Sequence, residues 1–296
     1  MSNANSLIDK NNIYSQYWEN IKESDLPSYA NKIISIDFEE FKKKYHNNND
    51  TKDKKDLIKS LLDGDIYILK NSFEKNILEK LKDYVIKEKF SKKNFEFHKV
   101  LDGVPNFSRN ITPELAKNYS IIQIKMTSYW FPFNENKEKF KIFQLVYPKW
   151  RTLKYISGYK ENVFEENIPS DGLVDRIQVV RYPLNTGVIE PHTDPYLYQR
   201  FFISSYFSKK GLDYDEGGFY AFDKNKKEID VEKVLDIGDL CFGLATIKHG
   251  VNEAKGSGTK KVPLSDLRSG RWFLGIYTME SDYSKERHTS KKANVT

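Results

Sequence analysis

Apolar residues recur with two different rhythms along this chain, and each predicts a different kind of element. In the N-terminal part the spacing is mainly helical. After the turn Asp63–Gly64–Asp65 comes a short apolar strand, Ile66–Tyr67–Ile68–Leu69. Ser72–Phe73–Glu74 then opens a helix in which Ile77, Leu78, Leu81, Tyr84 and Val85 share one face. Residues 94 to 120 show no clear period, which in a compact protein often marks a functional segment. Residues 135 to 157, rich in Phe, Leu, Trp and Tyr, read as helical and core-packed.

From Asp175 the texture changes to short strands separated by turns. Ile177–Tyr182, Phe201–Phe207, Gly218–Phe222, Asp239–Ala245 and Trp272–Thr278 are aromatic or β-branched runs bounded by Gly, Pro, Asp or Asn. This spacing suits a mainly β fold with helices, an α+β double-sheet jelly roll or small barrel. The predicted division is a polar and helical N-terminal extension over 1–60, packed on one sheet; a single β-core domain over 61–280; and a polar tail over 281–296. The loop before the second rhythm break, His46 to Asp50, carries three consecutive asparagines. No internal repeat is visible.

Composition narrows the class. Of 296 residues, 39% are hydrophobic and 14% aromatic, enough for a sizeable core and against wholesale disorder. The net charge of +6 comes from 48 basic against 42 acidic residues. The lysines fall in small groups mixed with acids, such as Lys42–Lys44 and Lys226–Lys227, so a solvated surface is expected and not a polyanion-binding one. One cysteine, Cys241, sits in the apolar run Leu240–Cys241–Phe242 and predicts a buried thiol in a reducing compartment. The first residues lack the apolar stretch of a signal peptide, and no run is long enough to span a bilayer, so the expectation is a cytoplasmic protein with no membrane partner.

The chemistry-bearing residues lie in the strand-rich half. In Glu190–Pro191–His192–Thr193–Asp194 an imidazole and a carboxylate stand two residues apart, on one face of an extended chain. That spacing alone is weak. It gains meaning from His249, which follows the strand-like Gly238–Asp239–Leu240–Cys241–Phe242. Two imidazoles and one carboxylate can hold a divalent metal on one face and leave the other face open, as in non-haem iron(II) oxygenases. His46, His98 and His288 have no such setting and read as surface or loop residues, with His98, Asn106 and Arg109 in a segment that could cover a pocket.

The residues Arg181–Tyr182–Pro183, His192–Thr193–Asp194, Gly217–Gly218, Gly238–Asp239–Leu240, His249–Gly250–Val251 and Gly270–Arg271–Trp272 come in an order that resembles the 2-oxoglutarate and iron(II)-dependent dioxygenase superfamily. The likeness covers roughly residues 174 to 280 and implies a double-stranded β-helix (cupin-like) core. It implies iron(II) on His192, Asp194 and His249 as the catalytic centre, with 2-oxoglutarate as cosubstrate and O₂ as oxidant. It also implies hydrogen abstraction from a bound substrate with release of succinate and CO₂, most often giving hydroxylation. Because Asp194 is present where halogenating relatives have a small residue, oxygenation is expected and not chlorination.

Two arginines compete for the far carboxylate of 2-oxoglutarate. The resemblance places this group on the penultimate core strand, with a serine two residues on. Here a loop-like stretch from Lys255 to Lys261 intervenes after His249, and position 273 is Phe. Arg268 lies in a turn, whereas Arg271 begins a strand on which Arg271, Phe273, Gly275 and Tyr277 share a face. Arg271 is therefore the expected anchor, with the Tyr182 hydroxyl as second contact. Gln178, Tyr196, Tyr198 and Arg200 are candidate substrate contacts for a small polar metabolite such as an amino acid, sugar or natural-product intermediate. A nucleic-acid- or protein-directed oxygenase is the alternative, and a non-oxidative cupin-type metal enzyme a further one. The sequence leaves the oligomeric state open.

Overall fold

The computed structural model describes residues 7–48, 50–256 and 266–295. The elements in chain order begin with α1 (Ile13–Glu19), β1 (Ile33–Asp37), α2 (Phe38–Tyr45), α3 (Thr51–Asp63), β2 (Ile66–Lys70) and α4 (Lys75–Val85). There follow β3 (Phe107–Ile111), α5 (Pro113–Ala116), β4 (Gln123–Trp130) and α6 (Ile142–Ile156). The second half is strand after strand: β5 (Leu173–Tyr182), β6 (Val188–Thr193), β7 (Phe201–Tyr206), β8 (Glu216–Phe222), β9 (Glu228–Asp230), β10 (Leu240–Leu244), β11 (His249–Lys255), β12 (Arg271–Glu280) and β13 (Lys291–Lys292).

From β5 to β12 the chain crosses repeatedly between two facing sheets. The larger sheet has the order β1-β2-β10-β7-β12-β5-β4, with β3 on the far side of β4; the smaller is β6-β11-β8-β9. Strands β5, β7, β10 and β12 thus lie in one sheet, and β6, β8, β9 and β11 in the other, all antiparallel to their core neighbours. This is the double-sheet jelly roll that the strand spacing predicts, in the double-stranded β-helix form that the resemblance implies. The first residues of β4 also pair with β6, so this strand joins the two sheets along one side.

Local chemistry explains the helices that flank this core. Asp50 caps α3 by accepting from the Lys52 amide, and Gly64 ends it in the left-handed region at φ 96°. Helix α4 buries Leu78, Leu81 and Val85, three of the positions its period predicts. The helices pack on the outer face of the larger sheet: the Phe41 ring meets Phe242 on β10 at 5.6 Å, and Trp18 meets Phe201 on β7 at 6.2 Å. Trp18 Nε1 also donates to the Ile156 carbonyl at 2.7 Å, tying α1 to α6.

Two differences from the sequence reading stand out. The N-terminal region is more than helical pieces: β1 pairs in parallel with β2, from Ile33 opposite Ile66 to Asp37 opposite Lys70. The polar tail also returns to the core, where Lys291 pairs with Thr193 and Lys292 with His192. Of the loop-like stretch expected after β11, Ser257 to Lys261 lie outside the described residues. Among the described residues no helix is long and apolar enough to cross a membrane. Cys241 is buried in β10, where burial pushes its thiol up and away from the reactive thiolate.

Candidate functional site

Sheet register assembles the centre. His192 at the end of β6 is the cross-strand partner of His249 at the start of β11, which brings the two imidazole centroids to 4.4 Å. Asp194 follows β6 directly. One ligand atom from each of the three lies within 4.8 Å of the others. His192 Nε2 is 3.8 Å from Asp194 Oδ1 and His249 Nε2 is 3.7 Å from Oδ2, so both ring edges converge on the carboxylate.

The opposite ring nitrogens fix the tautomers. His192 Nδ1 is 2.8 Å from the Glu190 carbonyl, and His249 Nδ1 is 2.8 Å from the Ile247 carbonyl. A carbonyl only accepts, so each Nδ1 carries the proton and each Nε2 lone pair points to the shared centre. Burial, and then the facing His249, pushes the His192 pKa down to about 4, which keeps the ring neutral and able to ligate. Asp194 is oriented from behind by the tail: Ser290 Oγ donates to its Oδ1 at 2.8 Å. Two neutral imidazoles and a carboxylate so arranged suit one divalent ion of the first transition row.

A narrow cavity of about 60 Å³ runs from this triad into the barrel, bounded by Tyr182, Ser204, Tyr206, Arg271 and Phe273. Arg271 is almost fully buried and lies against the Tyr182 ring at 5.2 Å and the Phe273 ring at 4.9 Å. The guanidinium already has a carboxylate partner in the fold. Its Nε donates to Glu232 Oε1 at 2.5 Å, and its Nη2 also meets that carboxylate. Burial, the largest influence, would lower the Arg271 pKa, but Glu232 together with Tyr206 and Tyr182 outweighs it and the net shift is upward. Nη1, however, is buried without a protein partner among the described residues. Glu232 reaches in because Gly218, at φ 94°, has no side chain; a Cβ there would lie 2.3 Å from Glu232 Oε2.

Outside the triad lies a wider chamber of about 350 Å³ that shares His192, Asp194 and Lys125 with the inner cavity. Gln178 faces it, as the alternation along β5 predicts, together with Arg176. The tail crosses its rim through Arg287, His288, Thr289 and Ser290. His288 is exposed, as expected of a surface residue, yet it also borders this chamber, and its Nδ1 lies 3.0 Å from Glu280 Oε1. Of the irregular segment, Arg109 on β3 faces the chamber. Asn106 is engaged elsewhere, accepting from the Phe131 amide and donating to Glu138.

Three candidate substrate contacts fall elsewhere. Arg200 donates to the Ser157 carbonyl at 2.9 Å and to the Tyr196 hydroxyl at 2.5 Å, and stacks over Trp18 at 5.0 Å. Tyr196 borders a second hollow with Glu23, Ser28 and Thr246, which also takes in Asp194 and His288. Tyr198 packs beside Tyr159 and Phe164 and meets His288 edge-on at 6.3 Å. After Asp194 the chain leaves the sheet at Pro195, and Arg200 turns toward Trp18 of α1 and the Ser157 carbonyl at the end of α6. Lys125 and Arg176 carried no signal, because both stand on strands otherwise read as core or left unassigned.

No family model matches the chain, and no curated protein matches it. Among solved structures, a C-terminally truncated Neurospora crassa protein in apo form is 14% identical, covering 87% of this chain and 96% of that one, with a TM-score of 0.49. The full-length form of that Neurospora crassa protein, in complex with alpha-KG, is 16% identical, with coverage of 89% and 89% and a TM-score of 0.48. A Pseudomonas putida prolyl-4-hydroxylase is 14% identical over 75% of this chain and 97% of its own, also with a TM-score of 0.48. Likeness at this level carries no functional weight; the triad and the strand order do.

Proposed function

We propose that this chain is an iron(II)- and 2-oxoglutarate-dependent oxygenase of the double-stranded β-helix superfamily, acting on a small polar molecule. The observation that carries this reading is the pairing of His192 with His249 across β6 and β11, both Nε2 lone pairs facing Asp194, at the head of a cavity that ends on Arg271 Nη1, unpartnered among the described residues. His192, Asp194 and His249 would hold the metal. Arg271 Nη1 would receive the far carboxylate of 2-oxoglutarate, with the Tyr182 hydroxyl, which borders the same cavity, as the second contact. Iron(II) bound there supplies O₂ activation coupled to oxidative decarboxylation: substrate R–H, 2-oxoglutarate and O₂ give R–OH, succinate and CO₂.

The chain's own residues do the rest. The Glu190 and Ile247 carbonyls hold the imidazole tautomers, and Ser290 holds the Asp194 carboxylate. Phe202, Phe219 and Phe273 wall the inner cavity and limit water. A chamber of about 350 Å³ crossed by the tail favours a small molecule over a folded polymer. The buried lone thiol of Cys241 suits a reducing compartment, so we place the protein in the cytoplasm.

The test is anaerobic addition of iron(II) and then 2-oxoglutarate to the metal-free protein. A visible charge-transfer band requiring both supports the reading; its absence, or a hydrolytic or epimerising activity with a redox-inert metal, refutes it. In the same titration Arg268→Ala should leave the 2-oxoglutarate requirement within about twofold of wild type. Arg268 is exposed and bound on the outside to Glu79 and Asp83 of α4, where such pairs are worth little.

A further inference from the structure

We propose that the molecule oxidised in the outer chamber carries an acid group, a carboxylate or a phosphate, seated on Arg176 with Lys125 beside it. This rests on the oxygenase reading and names the substrate class for that site.

The charges of the chamber wall are unbalanced. Arg109, Lys125, Arg176 and Arg287 face it, against the single carboxylate of Asp194, which the metal would take. Arg287 is neutralised by Asp282 at 2.6 Å, and Arg109 donates to the Tyr119 hydroxyl. Arg176 and Lys125 are in no ion pair or side-chain hydrogen bond among the described residues, and Arg176 Nε is buried without a partner. Two unpaired cations lining one chamber repel each other and lack full hydration, a costly arrangement unless an anion arrives to satisfy both. Burial, and then the charge of Arg176, brings the Lys125 pKa down to about 8; burial likewise lowers Arg176. Both shifts are those of a site awaiting negative charge.

Geometry fits the guanidinium for this task. Its carbon lies 5.4 Å from the Tyr129 ring centroid and 5.5 Å from that of Tyr277, a clamp from β4 and β12 that holds the fork in place. A planar fork so held binds carboxylate or phosphate through two parallel hydrogen bonds. Gln178 stands two residues along β5 on the same face and offers an amide to the remainder of the molecule. Arg176 borders the outer chamber only, whereas Arg271 borders only the inner cavity, so two anions have separate seats.

Holoprotein with iron(II), 2-oxoglutarate and air is screened for succinate release with matched pairs: sugar phosphates against free sugars, and amino-acid-derived carboxylates against their amides. Acid members alone should stimulate release, and Arg176→Gln should raise their KM at least tenfold while the anaerobic iron–2-oxoglutarate band stays intact. In parallel, metal-free protein is titrated calorimetrically with inorganic phosphate; wild type and Arg271→Gln should bind it, and Arg176→Gln at least tenfold more weakly. Equal stimulation by neutral members, no stimulation by any acid, or phosphate binding indifferent to Arg176→Gln overturns the proposal. So does loss of the band in Arg176→Gln, which would make this arginine the 2-oxoglutarate anchor. A wild type lacking the band while phosphate binding still depends on Arg176 refutes the oxygenase reading and leaves the anion seat standing.

Discussion

Alanine in place of His249 should abolish the visible band of the anaerobic iron(II)–2-oxoglutarate complex and reduce succinate release by more than 100-fold. The reason is the small number of protein ligands. With three donors, loss of one imidazole leaves a carboxylate and a single ring, too few to hold a labile divalent ion against water. His192→Ala and Asp194→Ala should do the same. Ser290→Ala provides the scale: it removes only the hydroxyl that orients Asp194 Oδ1, and losses of about 10–100-fold in metal affinity are typical for such outer partners. Iron titration with competing chelator, read beside circular dichroism to confirm folding, orders the variants. A His249→Ala protein with an unchanged band would remove His249 from the centre, and the register argument across β6 and β11 with it.

That centre was legible in the sequence because its donors sit at backbone positions with a simple rule: the two-residue spacing at the end of β6 gives His192 and Asp194 one face, and His249 opens a strand. The strands that announced themselves were β2, β5, β7, β8, β10 and β12, whose aromatic and β-branched residues are buried on both sides. The strands bearing the ligands did not. In β6 the sequence VIEPHT and in β11 HGVNEAK carry polar groups inward for the site and outward for solvent, so neither shows a hydrophobic period. Strand β4 was hidden for the same reason, since Gln123 and Lys125 point into the chamber. The role of the tail could not be read either. Lys291 and Lys292 look like solvated charges, and only the fold shows them paired with Thr193 and His192. Glu232 was invisible because its partner is far along the chain, and no local pattern encodes a buried long-range ion pair.

Glu232 changes what substitution of Arg271 should do, and two effects must be separated. Arg271→Gln removes the candidate anchor, but it also leaves Glu232 buried with the Tyr214 hydroxyl as its remaining side-chain partner. Breaking a buried pair on one side typically costs about 3–5 kcal/mol, so the single variant should unfold at distinctly lower denaturant or temperature. The double variant Arg271→Gln/Glu232→Gln removes both charges and should recover most of that stability. It should not recover cosubstrate binding. A charge-assisted hydrogen bond to the far carboxylate is worth about 1.5–3 kcal/mol, which raises the 2-oxoglutarate concentration for half-maximal band formation roughly ten- to hundredfold. Glu232→Gln alone should shift it the other way: with its neutralising partner gone, the guanidinium attracts the dicarboxylate more strongly and the half-maximal concentration falls. Anaerobic titration of the four proteins of this cycle decides the matter. If the double variant binds 2-oxoglutarate as wild type does, Arg271 serves only the fold, and Lys125, which borders the same cavity, becomes the anchor to test.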